Sequence, residues 1–293
     1  MPSATETTSI VFRDVEGIAE MKAVEDLQIE AWGDDERDIV PVNQFVAARY
    51  VGGSLIGAFD DKKLVGFAYG FYGHIGGRVV HHSHMLAVNP AYRNHNLGFQ
   101  LKAAQRERVL SDNITDRITW TFDPLQSLNA HFNFAKLGVL SDTYKINVYG
   151  EQATSFLHRN GTDRLFVTWL IDSPRVEGLM VRKRKTRQHR ALSAQKALRL
   201  LRSSSSGGPE PEAGIADVSA MNFVAIEIPA DINSVERADF DMARKWREET
   251  RRIFSETVSE GFVVVDYFLE KERSGIYLLE RMRLDKAFWA ARH

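Results

Sequence analysis

His84-Met85-Leu86-Ala87-Val88-Asn89-Pro90-Ala91-Tyr92-Arg93-Asn94-His95-Asn96-Leu97-Gly98-Phe99-Gln100-Leu101 contains the change of pattern on which the fold turns. A strand ends at Val88, a polar loop follows, and Phe99 begins a helix that runs to Leu110. Such a loop gathers successive backbone N–H groups and the positive end of the helix dipole at one place, a nest for an anion such as a pyrophosphate. Gly98 lets a phosphate approach the backbone closely, and Asn96 is one of the few residue types that enter the left-handed conformation. There is no Gly-Lys-Ser/Thr of a P-loop and no triple-glycine dinucleotide fingerprint. The plain alternative is a tight strand-to-helix turn that binds nothing.

Working outward, Arg78 to Val88 is the strand that feeds the loop, reached from a hairpin of Leu55 to Phe59 and Leu64 to Tyr72. Before it come a strand at Ile10 to Asp14, a helix from Glu16 to Trp32 and a shorter helix after Pro41. After the loop helix, Arg117 to Phe122 is a strand, Pro124 opens a helix and Gly138 closes it. Two more strands are expected at Asp142 to Tyr149 and Leu165 to Ile171. The composition then shifts. Arg182 to Arg202 carries nine Lys/Arg and no acid, and Ser203 to Gly214 is rich in Ser, Gly, Pro and Glu, a composition that predicts disorder. A strand at Phe223 to Ile228, an amphipathic helix with Val235, Met242, Trp246, Ile253 and Phe254 on its apolar face, and strands at Phe262 to Leu269 and Gly275 to Glu280 complete the chain.

Among the 293 residues the apolar fraction is 44% and the charged fraction 26%, values of an ordinary globular protein. The absence of cysteine excludes disulfides, thiolate metal sites and a cysteine nucleophile. A net charge of −1 gives no global attraction to nucleic acid or anionic membrane. Residues 1–9 are polar and form no signal peptide, and no stretch is apolar enough to span a bilayer, so a cytoplasmic location is expected.

With Arg93-x-x-Asn96-x-Gly98 in the loop and Asn129 to Gly138 in the following helix, the chain resembles the GNAT superfamily of acyl-CoA-dependent acyltransferases. The resemblance follows the element order over residues 8–171 and is sharpest over 84–138. It implies an α/β fold, a mixed and mostly antiparallel sheet flanked by helices, here with a C-terminal β-α-β-β extension. The corresponding domain expectation is a catalytic core at 8–171, a basic and Ser/Gly/Pro-rich insertion, partly disordered, at 172–221, and a C-terminal unit at 222–293 packed on the core. Acetyl-CoA or succinyl-CoA is the implied co-substrate and no metal is implied. Leu86, Ala87, Val88, Arg93, Asn94, His95, Asn96, Leu97, Gly98 and Asn129 are the implied cofactor contacts, with the N–H near Leu86 as oxyanion donor. Asn96 stands where the family usually has glycine, and Phe134 where many relatives carry a tyrosine that protonates the leaving thiolate. His82 to Met85, Trp120 to Leu125 and Tyr149-Gly150 resemble a branch of the family in which some members acylate amino acids.

N-acyl transfer needs a base for the amine, and His82 and His84, on one face of the strand, are the candidates. The alternative for either is a hydrogen-bonded structural histidine, the commoner role of a single histidine. Asp123 is a candidate to orient a histidine or take a proton, or else a turn residue before Pro124. Tyr149 is a candidate replacement acid, and Glu30 a candidate for the acceptor site. Arg247 and Arg251, one helical turn apart, are candidates to clamp a substrate carboxylate, or surface charges. The expected function is transfer of an acetyl or succinyl group to the amine of a small molecule, with an amino acid as one candidate. Two rivals remain: a non-catalytic acyl-CoA-binding module, and an adaptor that binds nucleic acid or anionic membrane through residues 182–202.

Overall fold

The computed structural model describes residues 10–33, 39–93, 95–150, 160–181, 185–270 and 274–284. The chain divides into two compact units, residues 1–118 and 119–293.

In the first unit β1 (Val11–Asp14), β2 (Ser54–Asp60), β3 (Lys63–Ile75) and β4 (Arg78–Val88) form an antiparallel sheet in sequence order. Residues along β2 are buried on both faces because helices cover both. On one side α1 (Gly17–Trp32) and α2 (Val42–Tyr50) bring Val24, Leu27 and Phe45 onto Leu55, Phe59, Phe67 and Tyr69. On the other, α3 (Leu97–Asp112) brings Leu97 and Leu101 onto Ile56, Ala58, Val65 and Ala68. This is helix on sheet on helix, with β3 and β4 alternating between the two cores.

β4 is not regular. Tyr69 pairs with Met85 but Gly70 pairs with Ser83, so His84 is the extra residue of a β-bulge. Gly70 is required there. A Cβ at this position would lie 2.3 Å from Cε1 of His81.

The second unit receives β5 (Arg117–Phe122), most of which lies past the division. Helix α4 (Ser127–Ala130) then passes into a π-helical turn at His131–Leu137, which Gly138 ends at φ 79°. The strands β6 (Leu140–Lys145), β7 (Arg164–Leu170), β8 (Leu198–Ser203), β9 (Pro209–Pro211), β10 (Phe223–Pro229), β11 (Phe262–Glu270) and β12 (Ser274–Arg281) are ordered β7-β6-β11-β12-β10-β8-β9. All of these pairs are antiparallel except β10 with β8. The sheet is therefore mixed and mostly antiparallel, as expected, and the C-terminal strands extend it. α7 (Ile232–Ala238) and the twenty-residue α8 (Phe240–Ser259) are separated by Asp239, whose side chain accepts from Met242 N–H and restarts the helix.

Two expectations are corrected here. The segment 172–221 is not a loose insertion where it is described. It forms α5 (Pro174–Met180), α6 (Lys185–Lys196), β8 and β9, with Leu200 and Leu201 buried in the sheet. The Ser/Gly stretch makes a turn, Ser204 N–H donating to Gly208 O, on which Trp246 Nε1 donates to Gly207 O. Small residues there permit close approach of α8 rather than disorder. The strand expected over Asp142 to Tyr149 ends at Lys145, because Asn147 takes a positive φ of 47° and turns the chain.

Candidate functional site

On the α1/α2 side of β4, His82 and His84 lie 6.4 Å apart, ring to ring, and each is 5.7 Å from the ring of Phe71. Tyr69 closes on His84 at 6.0 Å. His84 is exposed and His82 half-buried. Desolvation is the first cause of both shifts: it brings His82 down to about 4 and lowers His84 below the usual histidine value. Both rings are therefore neutral at pH 7 and able to accept a proton. The pair sits together as the strand alternation requires.

At the C-terminal end of β4, Leu86 and Val88 face α3 and Ala87 faces α1 and α2. Asn89 then turns the chain. Its Oδ1 accepts from Ala91 N–H at 3.0 Å and its Nδ2 donates to Glu30, on the last turn of α1. Glu30 thus meets the loop through a hydrogen bond that also orders it. Arg93 and His95 are exposed, His95 against Tyr92 O, and Asn94 lies outside the described residues. Asn96 has φ 60° and ψ 18°, the left-handed conformation, and its side chain makes no capping bond to α3. The helix ladder begins with Gln100 N–H to Asn96 O at 3.2 Å, so the N–H groups of Leu97, Gly98 and Phe99 precede it. Leu97 is buried and anchors this end.

In the second unit, Arg247 donates to both oxygens of Asp123, at 2.9 and 2.7 Å, and to Asn160 O. Arg251 binds both oxygens of Asp163, at 2.8 and 2.9 Å. The expectation that these arginines clamp a substrate carboxylate is corrected: each already holds an internal one. Asp123 also accepts from Leu125 N–H, the contact of a turn residue, and both of its oxygens are held by the Arg247 guanidinium. Tyr149 is exposed with Arg164 5.1 Å from its ring centre. Asn129 is exposed on the first turn of α4. Phe134 is buried between Phe122 and Tyr277, at 6.1 and 5.8 Å.

Residues 20–139 match the family model described as Acetyltransferase (GNAT) family. Those residues read as a GNAT domain. No curated protein matches the sequence. Solved structures match part of the chain at low identity. The Escherichia coli ribosomal-protein-S18-alanine N-acetyltransferase has 13% identity over 56% of this chain and 94% of its own, with a TM-score of 0.44. An aminoglycoside 6'-acetyltransferase type Ii has 17% identity over 55% and 97%, TM-score 0.44. A GNAT family acetyltransferase from Elizabethkingia anophelis with acetyl-CoA bound has 15% identity over 55% and 97%, TM-score 0.41.

The GNAT match begins inside α1 and ends at Val139, so it includes the bulged strand and the loop as well as β5 and α4. Asn89 is the loop residue that sequence reasoning did not single out, although the Asn-Pro pair at 89–90 is a turn signal. Beyond the GNAT match, the basic run is partly neutralised. Arg199 pairs with Glu227 at 2.8 Å and Arg202 with Glu210 at 3.0 Å, while Arg190 donates to Val265 O. That weakens the adaptor reading; residues 182–184 lie outside the described residues. Among the described residues no helix is long and apolar enough to cross a membrane.

Proposed function

We propose that the chain transfers an acetyl or succinyl group from coenzyme A to the amine of a small molecule, with amino acids the first acceptors to try. The observation that carries this is the open start of α3, where left-handed Asn96 leaves three amide N–H groups ahead of the helix ladder. A diphosphate accepts from such groups, and the helix dipole adds about 0.3–1 kcal/mol for a negative charge there. Arg93 and His95 in the same turn supply further donors.

In the reaction the amine nitrogen attacks the thioester carbonyl carbon. The C–N bond forms and the C–S bond breaks, the amine releases a proton, and sulfur leaves as a thiolate that is then protonated. His84 takes the amine proton, directly or through one water. It is the better base of the pair, being exposed at the bulge, whereas His82 at about 4 is too weak to compete well. An N–H near Leu86 is the oxyanion donor in this scheme.

Calorimetric titration with coenzyme A, acetyl-CoA and succinyl-CoA tests the first half. Saturable binding lost in Gly98→Trp supports the loop; binding unchanged in Gly98→Trp, or none by any of the three, overturns it. An amine screen with the preferred thioester follows, in which His84→Gln lowers kcat by about 10²–10⁴-fold. Phe134 favours a second reading, a non-catalytic acyl-CoA-binding module, because its buried ring has no proton to give. Tight coenzyme A binding without turnover across the screen supports that reading.

A further inference from the structure

The face of β4 opposite His82 and His84 carries a polar cluster that the proposed chemistry does not use. His81 and Ser83 point beneath the sheet and are buried, His81 completely. Lys102, on α3, is only 3% exposed. Its Nζ donates to Ser83 Oγ at 2.9 Å and to Gln105 Oε1 at 2.9 Å. Nε2 of His81 is 3.0 Å from Ser54 Oγ on β2, and the ring stands edge-on to Tyr72 at 5.1 Å. A lysine is rarely buried to this extent in a helix that packs on a sheet. An apolar side chain would satisfy the core at this point without the cost of dehydrating an amine.

The position of the cluster accounts for it. Ser83 is the last residue in register before the bulge, and its partner on β3 is Gly70, the residue that admits the His81 ring. A bulge on an all-apolar face can move along a strand, and a one-residue shift turns each side chain to the opposite face. Directional hydrogen bonds to residues 81 and 83 forbid that shift, because moving either would leave a buried polar group unmatched.

We propose that Lys102, through its hydrogen bond to Ser83, is a positioning residue that locks the β4 bulge in register and so fixes the direction of the His84 imidazole. This rests on the assignment of His84 as the base. Burial holds the Lys102 amine well below the ordinary lysine range, in keeping with a hydrogen-bonding role.

The test compares Lys102→Met with Lys102→Met/Ser83→Ala. The single variant leaves the Ser83 hydroxyl and Gln105 Oε1 unmatched, while the double variant removes the hydroxyl and leaves only Gln105 Oε1. Three quantities are read: unfolding midpoint, the amide and imidazole NMR resonances of His84 and Met85, and kcat against KM for the acyl-CoA. The expected result is that the double variant recovers part of the unfolding midpoint lost in the single variant while the His84 and Met85 resonances stay displaced or split, and kcat stays at least tenfold low with KM for acyl-CoA within twofold. Resonances and kcat that return to wild type with the midpoint overturn the inference, since Lys102 then only satisfies a buried hydroxyl. If His84→Gln leaves kcat unchanged while the resonances are displaced, the base assignment fails and the register lock stands. Undisplaced resonances in both variants sink the lock whatever the kinetics.

Discussion

Beneath β4, His81 and Lys102 are buried against neutral partners, Ser54, Ser83 and Gln105. Under α8, Arg247 and Arg251 are held by Asp123 and Asp163 in two-pronged bonds. The first unit removes charge from its interior, whereas the second cancels charge with charge. Desolvation decides in the first: it brings His81 down to about 3 and Lys102 far below its usual range. In the second, burial would raise Asp163, but Arg251, the Asn147 N–H and the Tyr144 hydroxyl outweigh it and the pKa falls. Burial likewise opposes the Arg247 charge, and Asp123 reverses the outcome. Neutral burial tolerates loss of a partner better than paired burial, because no bare charge is left behind.

The largest effect that would sharpen this contrast is in the second unit. Arg247→Met strands the Asp123 carboxylate and should cost about 3–5 kcal/mol in urea unfolding, against about 1–3 kcal/mol for Lys102→Met in the first unit. Equal costs would erase the distinction. Acid separates the units next. His81 has a folded pKa below its unfolded value, so its contribution is complete above about pH 6.5 and is lost as pH falls toward 3, at about 1.4 kcal/mol per pH unit. The contribution of Asp163, also depressed, persists until pH drops below the ordinary carboxylate value. Amide protection factors, corrected for the intrinsic exchange rate at each pH, should therefore fall in the first unit between pH 6 and 4 while the second holds, and His81→Asn should flatten the first unit's response. Tyr144→Phe deletes a 2.8 Å bond to Asp163 and should cost about 1.5–3 kcal/mol, a bond to a charged acceptor. The smallest effect is at the loop. Asn96→Ala should cost about 1 kcal/mol for its left-handed backbone, and Asn96→Gly almost nothing, by thermal unfolding.

Local chemistry made the first unit legible. Arg78 to Val88 is bounded correctly because alternation and turn residues determine a strand without distant help, and an asparagine at 96 announces its own left-handed backbone. The roles of Arg247 and Arg251 were not legible, since their carboxylates lie 124 and 88 residues away. Helical spacing revealed that they share a face, but not what faces it. The bulge at His84 was hidden for a similar reason: it is a mismatch between two strands, not a property of one. Ser203 to Gly214 misled because the small residues that make a chain flexible when free are also those that let Trp246 and Met242 come close.

The turn after β5 is gripped almost residue by residue from far along the chain. Asp123 is held by Arg247, the Pro124 carbonyl by the Tyr277 hydroxyl, Gln126 by Asn233, and Ser127 by the Tyr267 hydroxyl. The Tyr277 contact spans 153 residues. On a ribosome adding about 5–20 residues per second, Pro124 waits roughly 8–30 seconds for its partner. The first unit closes through contacts within residues 1–118, such as Arg108 to Asp14 across 94 residues, and waits less. During that interval the strand Leu140–Lys145 has been made but its outer neighbour Phe262–Glu270 has not, which makes its unpaired edge the one a nascent-chain chaperone would engage.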